Sequence, residues 1–236
     1  MKIKVLAFTT IALMAASCIV QQPAKGSIED YDYTVSGEVK ALSASGGVDI
    51  IVDDALQPGE VRVRTNTDVI ENVEVYIEGS TLCIKQTTSR LRPKVLEVRV
   101  PAYDYEGLAA SGGSDITWRS CNVPVLTVAA SGGAEVDIEA NSDTITVSTS
   151  GGAGIEIWGS CRQLDVAASG GADVSAERLA AEYVTVSASG GADVEVYATE
   201  SITVLASGGA DVSYGGNPAI KDINTSGGAD VERDND

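Results

Sequence analysis

Thirty-four carboxylates and no histidine set the chemistry open to this 236-residue chain. Without imidazole there is no Ser-His-Asp triad, no Cys-His dyad and no His-ligated zinc. The carboxylates fall into a pattern. Asp49, Asp115, Glu135, Asp173, Asp193, Asp211 and Asp230 each stand four residues after the serine of a Ser-Gly-Gly tripeptide, and Gly154 is the one exception. Two residues further on, Asp137, Glu156, Glu195 and Glu232 add a second acidic column. Three chemistries suit such a ladder. Paired carboxylates can hydrolyse glycosides, but a ladder copied from repeat to repeat offers no unique acid and base. Repeat calcium sites use Gly-Gly-x-Gly-x-Asp, whereas Gly-Gly-Ala-Asp lacks that further glycine and shifts the aspartate. The third reading is a solvated face that keeps a long β-structure soluble and unattractive to other sheets, and it is the one preferred here. Neighbouring rungs would then repel by about 1 kcal/mol at water's dielectric. Trp118, Arg119 and Trp158 interrupt the pattern locally, and the tryptophans read equally well as core and cap residues.

Sulfur offers a second chemistry. The opening MKIKVLAFTTIALMAASC carries Lys2 and Lys4, then an apolar run from Val5 to Met14 that suits a signal segment and is too short to span a bilayer. Ala15-Ala16-Ser17-Cys18 follows, similar to the lipobox at which bacteria attach lipid to the cysteine. Residues 1–17 are therefore expected to be a signal peptide, Cys18 the lipidated residue, and 18–27 a short polar tether. Cleavage after Ser17 by an ordinary signal peptidase is the alternative, and both imply export. Cys83, Cys121 and Cys161 remain.

A net charge of −18 disfavours nucleic acid, whose phosphates need lysine and arginine, and also disfavours adsorption to anionic lipid heads. With 44% hydrophobic residues the chain is no disordered polyanion. Its 25 glycines and single phenylalanine point to thin layers of small and β-branched side chains rather than a bulky interior.

The element that must position the ladder is a repeat. Ser-Gly-Gly begins at Ser45, Ser111, Ser131, Ser150, Ser169, Ser189, Ser207 and Ser226, so from Ser111 onward it returns about every 19 residues. Five residues after each serine stand Ile50, Ile116, Val136, Ile155, Val174, Val194, Val212 and Val231. Three before it stand Leu42, Leu108, Val128, Val147, Val166, Val186, Val204 and Ile223. Apolar residues alternate with polar ones on both sides, which predicts two strands per repeat with one face inward. Ser-Gly-Gly supplies the turn between them. Each repeat thus reads as one coil of a right-handed parallel β-helix, an all-β solenoid over residues 28–236. Cys121 and Cys161 would lie two coils, about 10 Å, apart, too far for a disulfide. Residues 53–105 lack the tripeptide but offer strands at Glu60–Thr65, Asn72–Glu78, Thr81–Gln86 and Val95–Val100, as irregular coils or a hairpin insertion.

The stretch Val39–Val52 (VKALSASGGVDIIV), then Glu60–Arg64 (EVRVR), then Gly79–Lys85 (GSTLCIK), with the later Ser-Gly-Gly-Ala-Asp-Val copies, resembles the putative auto-transporter adhesin, head GIN domain family. The resemblance covers about 28–236. It implies a β-helical envelope protein, often a lipoprotein, and transfers no catalytic or binding residues. The expectation is therefore a non-catalytic, outer-membrane lipoprotein with an interaction or adhesive surface, without cofactor. Its partners would be the membrane, through the lipid, and an unidentified protein or glycan; self-association is open. The alternative is a carbohydrate-binding or carbohydrate-cleaving β-helix.

Overall fold

The computed structural model describes residues 21–88 and 90–234. The signal segment and Cys18 lie outside them. Among the described residues there is no α-helix, only a three-residue 3-10 turn at Ile70–Asn72.

The stack follows directly from the repeat. Val136, Ile155, Val174, Val194 and Val212 fall opposite one another in parallel register, as do Val128, Val147, Val166, Val186 and Val204. All are buried. β-branched side chains have few rotamers to lose in a strand and pack well on a pleated surface. One coil exposes both edges and half its apolar face, so only stacking satisfies its backbone groups and covers its core.

The coils keep the repeat length, and the expected two strands stand apart in Asp115–Cys121 with Val125–Gly132 and in Asp211–Gly215 with Ile220–Gly227. In the middle of the stack the two merge, so that each coil is one unbroken strand: Glu135–Gly151, Gly154–Gly170, Asp173–Gly190 and Asp193–Gly208. Coils above and below continue the ladder around the corner opposite Ser-Gly-Gly, where it shifts register at Glu156–Gly159, Ala176–Ala180 and Ala181–Tyr183, and the Gly-Gly turn ends each strand.

Residues 53–105 form both irregular coil and hairpin, and they close one end of the stack. Thr81–Gln86 pairs in parallel with Ala41–Ser45, and Leu96–Pro101 with Asp49–Asp53. Residues 81–101 are therefore a coil lying outside the first Ser-Gly-Gly coil, whose other side receives Gly107–Ser111 and Asp115–Cys121. Chain order and stacking order differ here. Antiparallel strands finish the cap: Val73–Glu78 on Thr81–Gln86, Glu60–Asn66 on Leu96–Pro101, and Ile28–Thr34 on Glu60–Asn66. Gln22–Pro23 pairs with Leu91–Arg92 and Ala24 is buried. The expected tether is thus docked on the cap from Gln22 onward. The opposite end is open: in Ile220–Gly227 every residue is exposed, and the core-facing Ile223 is 38% exposed.

Candidate functional site

The Ser-Gly-Gly corner builds the surface that carries the acidic ladder. Its serines align from Ser45 through Ser111, Ser131, Ser150, Ser169, Ser189 and Ser207 to Ser226. Gly170 and Gly190, the first glycines of their turns, sit at φ +82° and +80°, where a side chain is costly. Gly171 and Gly191 do not adopt that conformation. Their amides donate to carbonyls of the coil below, Gly171 to Gly151 at 2.7 Å and Gly191 to Gly170 at 2.7 Å. The corner is therefore a second hydrogen-bonded ladder that locks the turns in line.

Four residues beyond, the carboxylates stand in register: Asp49 opposite Asp115, then Glu135, the gap at Gly154, then Asp173, Asp193, Asp211 and Asp230. None is buried. Glu97 of the cap coil pairs with Asp49 and adds a rung that sequence reasoning missed. The apolar-polar alternation of Leu96–Val100 was the only signal for it, because that coil has no Ser-Gly-Gly to set the register. Partial desolvation by its neighbours and then the Glu97 carboxylate push Asp49, though it is exposed, above the usual aspartate range. Burial first, and then Asp49, do the same to Asp115, partly offset by the Glu135 amide that donates to its carboxylate at 3.3 Å. In the second column burial and then Glu177 raise Glu195. Serines 175 and 213 separate Glu156, Glu195 and Glu232 along that column. Among the described residues no three His, Cys, Asp or Glu side chains gather where they could hold a metal ion.

The residues that broke the pattern separate into two roles. Trp118 is core, edge-on to Tyr105 at 5.5 Å, whose hydroxyl donates to the Pro101 carbonyl at 2.9 Å. Trp158 lies outside, half-buried at the corner opposite Ser-Gly-Gly. The Arg119 and Arg178 guanidiniums lie over its ring at 4.3 and 5.2 Å, and Arg178 pairs with Glu156. Ser120, next to Arg119, is the one non-glycine with positive φ (74°) among the described residues. The ladder shifts register there and again at Glu156–Gly159 and Ala176–Ala180. Arg178 as a partner of Trp158 was not foreseen, since the register shift places it beyond the repeat's arithmetic.

Cys121 and Cys161 are buried and free, facing Ala140 and Ser142 of the single intervening coil. Burial pushes both thiols up to about 12. They are unreactive packing residues.

A family model described as putative auto-transporter adhesin, head GIN domain, matches residues 38–218. The chain belongs to this family. Three solved structures share the solenoid of this head GIN domain. A putative adhesin from Bacteroides fragilis has a TM-score of 0.81 at 20% identity, over 90% of this chain and 99% of its own. A putative lipid binding protein from Parabacteroides distasonis has a TM-score of 0.71 at 17% identity, over 90% and 99%. A putative adhesin from the same organism has a TM-score of 0.71 at 18% identity, over 89% and 98%. At these identities the likeness is one of fold. No curated protein matches the chain.

Proposed function

We propose that this head GIN domain protein is exported, anchored to the cell envelope by lipid on Cys18, and acts through its surface as a non-catalytic adhesin. One observation carries the reading: the parallel register holds equivalent outward side chains in line from coil to coil. Such a surface meets a partner at many equivalent points, which suits contact with an extended molecule rather than chemistry at one place. The family's description as an adhesin supports the same reading. The outer membrane is the location that a lipobox in a family of envelope proteins suggests.

Two measurements test this. Labelled fatty acid should enter the wild-type protein, and Cys18→Ala should leave the membrane fraction; if no label enters, the anchor reading is wrong. The mature protein should bind a component of a glycan and matrix-protein array with salt-sensitive affinity. Turnover of a polysaccharide in that array would replace adhesion by catalysis. The Trp158 corner supports a second reading, carbohydrate binding, because a half-buried indole grouped with two arginines and a carboxylate offers an apolar edge and hydrogen-bonding groups to a sugar. Trp158→Ala would then abolish glycan binding and leave any protein ligand unaffected.

A further inference from the structure

The net charge of −18 is unevenly spread. Residues 100–236 carry 21 carboxylates against five lysines and arginines, whereas residues 25–99 carry 13 carboxylates against nine of the sixteen basic residues. Within the cap the cations concentrate further. Residues 85–94 hold Lys85, Arg90, Arg92 and Lys94 and no acid. Lys85 is paired with Glu74 at 3.0 Å. Arg90, Arg92 and Lys94 are exposed, as is Lys25, and among the described residues none of these four forms an ion pair.

The backbone gathers these four cations. The Gln22 amide donates to the Arg90 carbonyl and the Ala24 amide to the Arg92 carbonyl, both at 2.9 Å, in the strand pair of Gln22–Pro23 with Leu91–Arg92. Asn66 ties the two segments together, donating to the Gly26 carbonyl and accepting from the Lys94 amide, both at 2.8 Å. One carboxylate, Asp68, is built into the strip, and its oxygen accepts from the Lys25 amide. This is also where the chain runs toward Cys18. Four residue steps separate Gln22 from Cys18, at most about 14 Å of extended chain.

We propose that Lys25, Arg90, Arg92 and Lys94 form a headgroup-docking strip that seats the cap on the anionic lipid surface holding the anchor, so that the acidic solenoid stands away from it. The inference rests on the anchor reading for its geometry. Charge supplies the orientation. Basic residues within a Debye length of an anionic bilayer are attracted, and carboxylates at that distance are repelled. Eight coil steps separate the Glu97 rung from Asp230, about 38 Å, so most of the ladder would lie beyond the screening length. Docking of a single lipid-linked point would leave the solenoid free to tumble, and a second, electrostatic contact removes that freedom.

The experiment attaches the chain from Cys18 onward to a maleimide-headgroup lipid through the Cys18 thiol, with Cys83→Ser to leave one accessible thiol. Its result therefore does not depend on whether cells lipidate Cys18, which fatty-acid labelling decides separately. Lysine acylation is followed by mass spectrometry on phosphatidylcholine vesicles with and without about one third phosphatidylglycerol. Lys25 and Lys94 should be acylated about fivefold more slowly on the anionic vesicles. Lys221, in the last coil, should react equally on both. About 0.5 M salt, or Arg90→Gln with Arg92→Gln, should remove the Lys25 protection. Equal rates at Lys25 and Lys94 on both vesicles would overturn the proposal. So would protection of Lys221 as well, or protection by a soluble polyanion such as heparin and not by the vesicles.

Discussion

At the residue scale the two glycines of each turn from Gly132 to Gly228 have different jobs, since only the first has positive φ. A Cβ on Gly170 would approach the Gly151 carbonyl oxygen at 3.0 Å, from a backbone at φ +82°. A Cβ on Gly171 would meet that oxygen at 3.7 Å, an ordinary contact. Gly170→Ala should therefore cost about 1–3 kcal/mol in denaturant unfolding, and Gly171→Ala well under 1 kcal/mol. Equal costs would mean that neither the positive φ nor the closer carbonyl at Gly170 governs the corner. The ladder makes its own prediction. Partial desolvation and Glu97 raise Asp49 in the folded state, so on acidification the native carboxyl binds its proton before the unfolded one does. The charged form then destabilises the fold at neutral pH, and that penalty fades as pH falls through the raised value to the ordinary aspartate range. Asp49→Asn should stabilise at neutral pH, with a gain that shrinks on acidification. A gain independent of pH would show that charge is not its cause.

At the element scale the energy of a coil depends on whether it has neighbours on both sides. Ile157 is buried in a coil paired above and below, whereas Ile223 occupies a core-facing position in the last coil and is 38% exposed. Ile157→Ala should cost about 2–5 kcal/mol, for lost transfer energy plus an unfilled cavity. Ile223→Ala should cost about 1 kcal/mol or less, since much of its surface is already in water. Thermal or denaturant unfolding of the two variants compares them directly. Similar losses would indicate that the open end is covered in solution.

At the scale of the whole molecule the two ends are unlike. Antiparallel strands close one end, and among the described residues Ile220–Gly227 with Asp230–Arg233 leave the other as an unpaired edge. A solenoid is nearly one-dimensional, so opening should start where a coil has one neighbour. Hydrogen exchange should be fastest in residues 220–233 and slowest in the coils from Glu135 to Gly208. Uniform protection to the last coil would require a partner on that end. Protruding charges at the edge, such as Asp222, Asp230 and Glu232, oppose edge-to-edge growth.

The coil length, the inward valines and isoleucines, the outward carboxylates and the separation of Cys121 from Cys161 were all legible in the sequence. Each is a property of a period-two strand copied at fixed spacing, and periodicity survives in one dimension. The family was legible for the same reason, through the copied Ser-Gly-Gly-Ala-Asp-Val phrase. What the tertiary structure alone decided are the places where pairing joins residues without a copied phrase. Residues 81–101 stack outside a coil that precedes them, which puts Glu97 on the ladder. The bulges at Trp118–Cys121 and Glu156–Gly159 bring Arg119 and Arg178 to Trp158. Gln22–Pro23 returns to Leu91–Arg92 and gathers cations that a net charge of −18 conceals. Strand pairing between distant segments depends on which edges remain open once the stack has formed, and a sequence pattern encodes faces, not edges.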